Sequence, residues 1–185
     1  MRRKWIYIFS FFLLLFILLV FRVNLRIFVF FVILTLVDKV LFSLLKFPGM
    51  IGIELATFIF FLLSKQNIFL VPIVSLIIFP FIDTLKTFYF QWMEPPNPGS
   101  VILDTLKWFA FCFFLIYLSN FLPFRISALI MIALKNLLES YLDYQKGQFN
   151  PLQKIGNFLF NFILFVFLEK TPLWFLIKWS GISFN

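Results

Sequence analysis

Long apolar runs separated by short polar breaks make up almost the whole chain, and seven such runs can be traced. The first, 5–21, has no charged residue; Arg2, Arg3 and Lys4 precede it and Arg22 closes it. A helix of roughly 17 to 25 apolar residues matches the hydrocarbon thickness of a bilayer, so this run predicts a membrane anchor. Its end, Val20, Phe21, Arg22 and Val23, lacks a small-residue cleavage pattern. The anchor is therefore expected to be retained, unlike a removed signal peptide. Residues 1–26 are read as an N-terminal transmembrane anchor, and 27–185 as a helical membrane core of about six helices.

Within that core, a second span is predicted over 27–45, with Asp38 and Lys39 in its second half. Phe47, Pro48 and Gly49 turn the chain, and Pro48 is expected to open a third helix over 50–64, since proline loses nothing in a first turn. That helix would be only about 22 Å long. A fourth span, 68–82, contains Pro72 and Pro80 and is expected to kink. The longest hydrophilic stretch, 84–100, centres on Glu94, Pro95, Pro96, Asn97, Pro98 and Gly99, which cannot be helical. A fifth span follows over 101–122, with Ser100 as its cap and Asp104 in its first turn.

Residues 126–142 carry apolar positions at helical spacing on one side, with Lys135, Asn136, Glu139 and Asp143 on the other. Such a helix either spans or lies along the interface. Asn150, Pro151 and Gln153 read as cap, first position and capping-box partner of the last long helix. That helix is expected to run to about Lys170, with Thr171 and Pro172 kinking it or restarting a short piece. The predicted class is all-α: a polytopic membrane helical bundle of six or seven transmembrane helices with short loops.

Composition agrees with this picture. The chain is 63% hydrophobic, contains 32 Phe and has a mean hydropathy of +1.03. These values imply a multi-pass protein integral to the cell (cytoplasmic) membrane, with the lipid bilayer as its first partner. The net charge of +8 does not imply nucleic acid, because the 16 Lys and Arg stand singly near the ends of apolar runs, where anionic headgroups lie. Loop lysines and arginines lean weakly toward a cytoplasmic amino terminus. With no His and the lone Cys112 inside an apolar run, neither a metal site nor a disulfide framework is predicted, and no cofactor is expected.

Candidate chemistry is confined to a few polar residues inside apolar runs. An ionised carboxylate at Glu54 would cost on the order of 2.5 kcal/mol or more facing lipid, so it must face protein, water or a proton. Either it is a polar anchor for a substrate or a titrating relay, or it pairs with Lys39 or Lys107 between helices. Gln153, Asn157 and Asn161 recur every four residues, which puts three amides on one helix face. They offer hydrogen bonds to a small polar ligand or join helix to helix. Gly52 and Ala56 form a small-residue step for close helix packing on the Glu54 helix. Asp104 and Lys107, three apart, are placed to pair with each other.

The stretch from Phe47 through Pro48, Gly49, Gly52, Glu54 and Ala56 to Phe58, the proline-rich loop and the asparagine-bearing last helix together resemble the substrate-binding (S) components of energy-coupling-factor vitamin and micronutrient transporters. The likeness covers about residues 27–180. It implies a six-helix core that binds a small solute at Glu54, Gln153, Asn157 and Asn161 and depends on separate coupling and ATPase subunits for energy. The chain departs from that family in having no Ala over 27–46 and an additional first span. The membrane subunits of rod-type cell-shape complexes are also similar in size and helix number, and imply instead a non-catalytic structural or scaffold subunit. Neither resemblance implies an enzyme.

Overall fold

The computed structural model describes residues 25–45, 51–83 and 98–182. The expected anchor over 5–21, the Phe47, Pro48, Gly49 turn and Glu94 to Asn97 of the proline-rich loop lie outside these residues. Among the described residues every regular element is helical, arranged as seven rods. The rods are α1, made of Leu25–Leu36, a wide turn Val37–Leu41 and Phe42–Leu45; α2, Ala56–Gln66; α3, Leu70–Asp83; α4, Pro98–Ser119; α5, Phe124–Gln145; α6, Pro151–Val166; and α7, Pro172–Ser180.

The shortest of the central rods is the hub. In α2 every residue from Ala56 to Ser64 is buried, as a helix apolar on all sides requires. Phe60 lies between Trp108 of α4 and Phe79 of α3, with ring centroids 4.6 and 5.0 Å away. Phe58 and Phe61 flank Phe165 of α6 at 5.3 and 6.1 Å. Each aromatic pair adds about 0.5 to 1.5 kcal/mol beyond the area it buries. Phe30 and Leu34 of α1 complete the core.

Successive rods run up and down. The C-terminal ends of α1, α3 and α5 and the N-terminal ends of α2, α4 and α6 therefore meet at one end of the bundle. At the opposite end Lys65 stacks over Phe124 at 4.8 Å, and Arg125 reaches Glu169 at 2.7 Å.

Several local expectations are corrected. The helix expected over 50–64 is not helical over 51–55. Gly52 has φ +75, a left-handed conformation that interrupts a helical path, and α2 starts only at Ala56. Glu54 thus lies on the approach to the helix, and Gly52 and Ala56 are not a helix-face step. α4 is already helical at Pro98, so Ser100 lies within the helix and is not its cap, and Asp104 lies beyond the first turn. Pro72 falls in the first turn of α3, where its missing donor costs nothing. Pro80 leaves the carbonyl four residues before it without its usual donor, and the wide turn Val74–Ile78 spans that position.

The α6 start matches its sequence signature, with Pro151 in the first turn and the Gln153 N–H donating to Asn150 Oδ1 at 3.3 Å. That rod ends at Val166, before a single tight turn Leu168–Lys170 and the restart at Pro172.

One helix among the described residues, Gly99–Ser119, is long and apolar enough to cross a membrane. Ala56–Gln66, Leu70–Asp83 and Pro151–Val166 are apolar but shorter.

Candidate functional site

Where the six rod ends meet, two adjoining cavities of about 350 and 620 Å³ open. Lys39, Glu54, Glu139, Asp143 and Lys154 stand in the walls of both, so the pair forms one polar basin.

Glu54 is held there by the segment before α2. Asp38, in the wide turn of α1, accepts the Leu55 N–H. A carboxylate therefore sits at the open N-terminus of α2, where orphan donors and the helix dipole both favour negative charge. On the other side, Ile51 and Gly52 press onto α6. The Asn157 amide donates to the Gly52 carbonyl at 3.0 Å. A Cβ at Gly156 would lie 1.7 Å from the Ile51 carbonyl oxygen, and one at Gly52 would lie 2.1 Å from the Gln153 carbonyl oxygen. Two glycines thus allow the backbones to touch, although the contact joins a turn to a helix, unlike the two-helix seam expected from Gly52 and Ala56.

Charges in the basin form a branched ladder. Lys135 of α5, 1% exposed, lies 3.0 Å from Glu139 and 3.4 Å from Glu54, and its ammonium is 5.1 Å from the centre of the Trp108 ring. Glu139 also meets Lys107 of α4 at 3.1 Å, and Lys107 meets Asp104 at 3.1 Å. On the α6 side, Lys154 bonds Asp143 at 2.6 Å and reaches Glu139 at 4.0 Å. Glu139 is the junction, joined to lysines from three helices.

Of the amide row, Gln153 and Asn157 line the smaller cavity alongside Glu54, whereas Asn161 does not reach it. Asn161 is fully buried one turn deeper, with its amide donating to the Asn157 carbonyl at 3.0 Å and its own Oδ1 without a hydrogen-bond partner. Glu54 pairs with Lys135, while the lysines expected for it are engaged elsewhere: Lys39 lies 4.0 Å from Asp83, and Lys107 binds Asp104 and Glu139. The Asp104 and Lys107 pairing expected from their spacing is present.

Lys135, Glu139, Asp143 and Lys154 were missed as site residues. Their signal was available, because Lys135, Glu139 and Asp143 recur every four residues and share one face of α5. That face points inward. Lys135 and Asn136 are buried while Leu137 is 68% exposed, and Leu134 and Tyr141 are exposed with it. In α6, likewise, Asn157 and Asn161 face inward and Leu152, Ile155 and Leu159 outward.

Among the described residues no group of three or more His, Cys, Asp or Glu is arranged to hold a metal ion. The basin's resources are fixed carboxylates and ammonium groups, two carboxamides and the face of Trp108. Such an arrangement can bind and orient a polar molecule by charge and hydrogen bonds. Comparison with known proteins finds no matching family model, no similar curated sequence and no similar solved structure.

Proposed function

We propose that this chain is a multi-pass membrane subunit that binds a small polar solute in the basin. Transport would then require separate coupling and ATPase subunits, as the resemblance to the S components implies. The observation that carries this reading is the inverted arrangement of α5 and α6 around an open polar cavity. A helix in water turns its leucines to the core and its lysines outward. In the halves that border the basin these two helices do the reverse, with Lys135, Asn136, Asn157 and Asn161 buried and Leu134, Leu137, Ile155 and Leu159 exposed. A hydrocarbon solvent favours this, since ionisable and amide groups in a bilayer face the bundle interior. Gly99–Ser119 supplies a helix of spanning length beside them. A basin of several hundred Å³ at the bundle end is of the size that holds small ligands.

A scaffold subunit without a ligand is the second reading, and the pairing of Lys107, Lys135 and Lys154 with carboxylates favours it. Native mass spectrometry of the protein, extracted gently from its own membrane, separates the two. A stoichiometric small molecule that disappears in Glu54→Gln supports solute binding. Retention of lipids and larger membrane proteins alone supports the scaffold.

A further inference from the structure

The balance of charge around the basin, and the position of one carboxylate in it, bear on which class of solute fits, given that solute-binding reading. Six carboxylates line the two cavities: Asp38, Glu54, Asp83, Asp104, Glu139 and Asp143. Four lysines stand with them, and Lys135 behind the wall makes five. Among the described residues these charges leave the basin one positive charge short of neutrality.

The carboxylates are not equivalent. Glu139 is shared among three lysines, Asp104 and Asp143 each hold a lysine at 3.1 Å or closer, and Asp38 caps α2. Of the three carboxylates that stand in the walls of both cavities, Glu54 is the most exposed, at 40% against 31% for Asp143 and 16% for Glu139, and its nearest lysine, Lys135 at 3.4 Å, is the farthest. Lys135 keeps Glu139 at 3.0 Å and the Trp108 face whether or not Glu54 stays with it. Glu54 can therefore turn to an incoming cation without leaving a buried charge unpaired, the step that makes breaking most buried ion pairs costly.

We infer that the basin takes a small organic monocation, a primary amine with a polar body, whose ammonium binds Glu54. Gln153 and Asn157, on the same wall as Glu54, lie where such a molecule's polar body would rest.

The test uses the full chain in lipid nanodiscs and three probes of equal length that differ at one end: 4-amino-1-butanol, 1,4-butanediol and 4-hydroxybutyrate, at matched ionic strength. The amine should raise the melting temperature saturably and bind about tenfold or more tightly than the diol, the discrimination expected of a hydrogen bond to a charged group. Glu54→Gln should abolish that preference, and Glu169→Gln, at the opposite end of the bundle, should leave it unchanged. Equal effects from all three probes, or preference for the hydroxybutyrate, would overturn the amine class while leaving solute binding standing. No saturable effect from any probe also overturns it. If, in addition, the protein from its own membrane carries no solute, the solute-binding reading fails as well. The comparison of probes on the unaltered chain needs no variant to fold.

Discussion

Asn157 holds the carbonyl of Gly52, 105 residues earlier in the chain, through a 3.0 Å hydrogen bond from its side-chain amide. This bond ties the turn that carries Glu54 to the first half of α6. Replacing Asn157 by Leu removes the donor and leaves a buried carbonyl unsatisfied, at a cost of about 1 to 3 kcal/mol. Asn161→Leu is the contrasting change. Its Oδ1 already lacks a hydrogen-bond partner in a fully buried site, so an apolar side chain of similar shape should cost less than about 1 kcal/mol or stabilise. Chemical denaturation of both variants checks the order, and equal losses would contradict the assigned geometry.

The contact between the turn and α6 predicts a second contrast, between glycines. At Gly156 an added Cβ meets the Ile51 backbone at 1.7 Å, and a backbone cannot swing aside as a flexible side chain can. Gly156→Ala should therefore destabilise by about 3 kcal/mol or more. Gly147 has φ +67 but open space around it, so Gly147→Ala should cost only about 1 to 2 kcal/mol of backbone strain. Melting temperatures of the two proteins side by side decide this.

The ion ladder makes a third prediction through Lys135. Truncating it to Ala removes the partner of Glu54 and one partner of Glu139, and should cost about 3 to 5 kcal/mol. Combining Lys135→Met with Glu54→Gln removes the mismatch and should recover part of that loss. A double-mutant cycle on these positions reads the coupling directly, and strict additivity would mean that the pair contributes nothing.

Thiol labelling tests the proposed membrane placement. Cys112 is fully buried against α2, its Sγ 3.4 Å from the Phe60 carbonyl oxygen, and should stay unmodified until the bundle unfolds. In a Cys112→Ala background, Phe113→Cys places a thiol on an exposed apolar side of α4. It should react with a membrane-permeant maleimide and resist a charged one. Equal reaction with both in intact membranes would put that face in water.

Much of the helix pattern was readable from the sequence, because apolar runs and their breaks report helices directly. Asn150, Pro151 and Gln153 show this at the level of single residues, where cap chemistry depends only on neighbours in the chain. The start of α2 was not readable. It is fixed by Asp38, 17 residues earlier, and by α6, about a hundred residues later, and a local rule could not weigh either against Pro48. The amide row was legible as a row. Which of its members meets the cavity depends on depth along the bundle, and that separated Asn161 from Gln153 and Asn157. The Lys135, Glu139 and Asp143 row was visible too, but its meaning depended on which way α5 faced, which only the packed bundle determines.

The central position of α2 has a consequence for biogenesis. At 11 residues, this helix extends about 16 Å, roughly half the thickness of a hydrocarbon core, and it has no face left over for lipid. If the chain sits in a bilayer as proposed, this helix would not be committed there by its own length. Its entry would be cooperative with the walls around it, and α6, which clamps the turn before it, is made last of those walls. Synthesis of the first half of the chain therefore ends without a finished core. The emerging protein has to keep the segment around α2 from straying until residues 151–166 arrive to close over it.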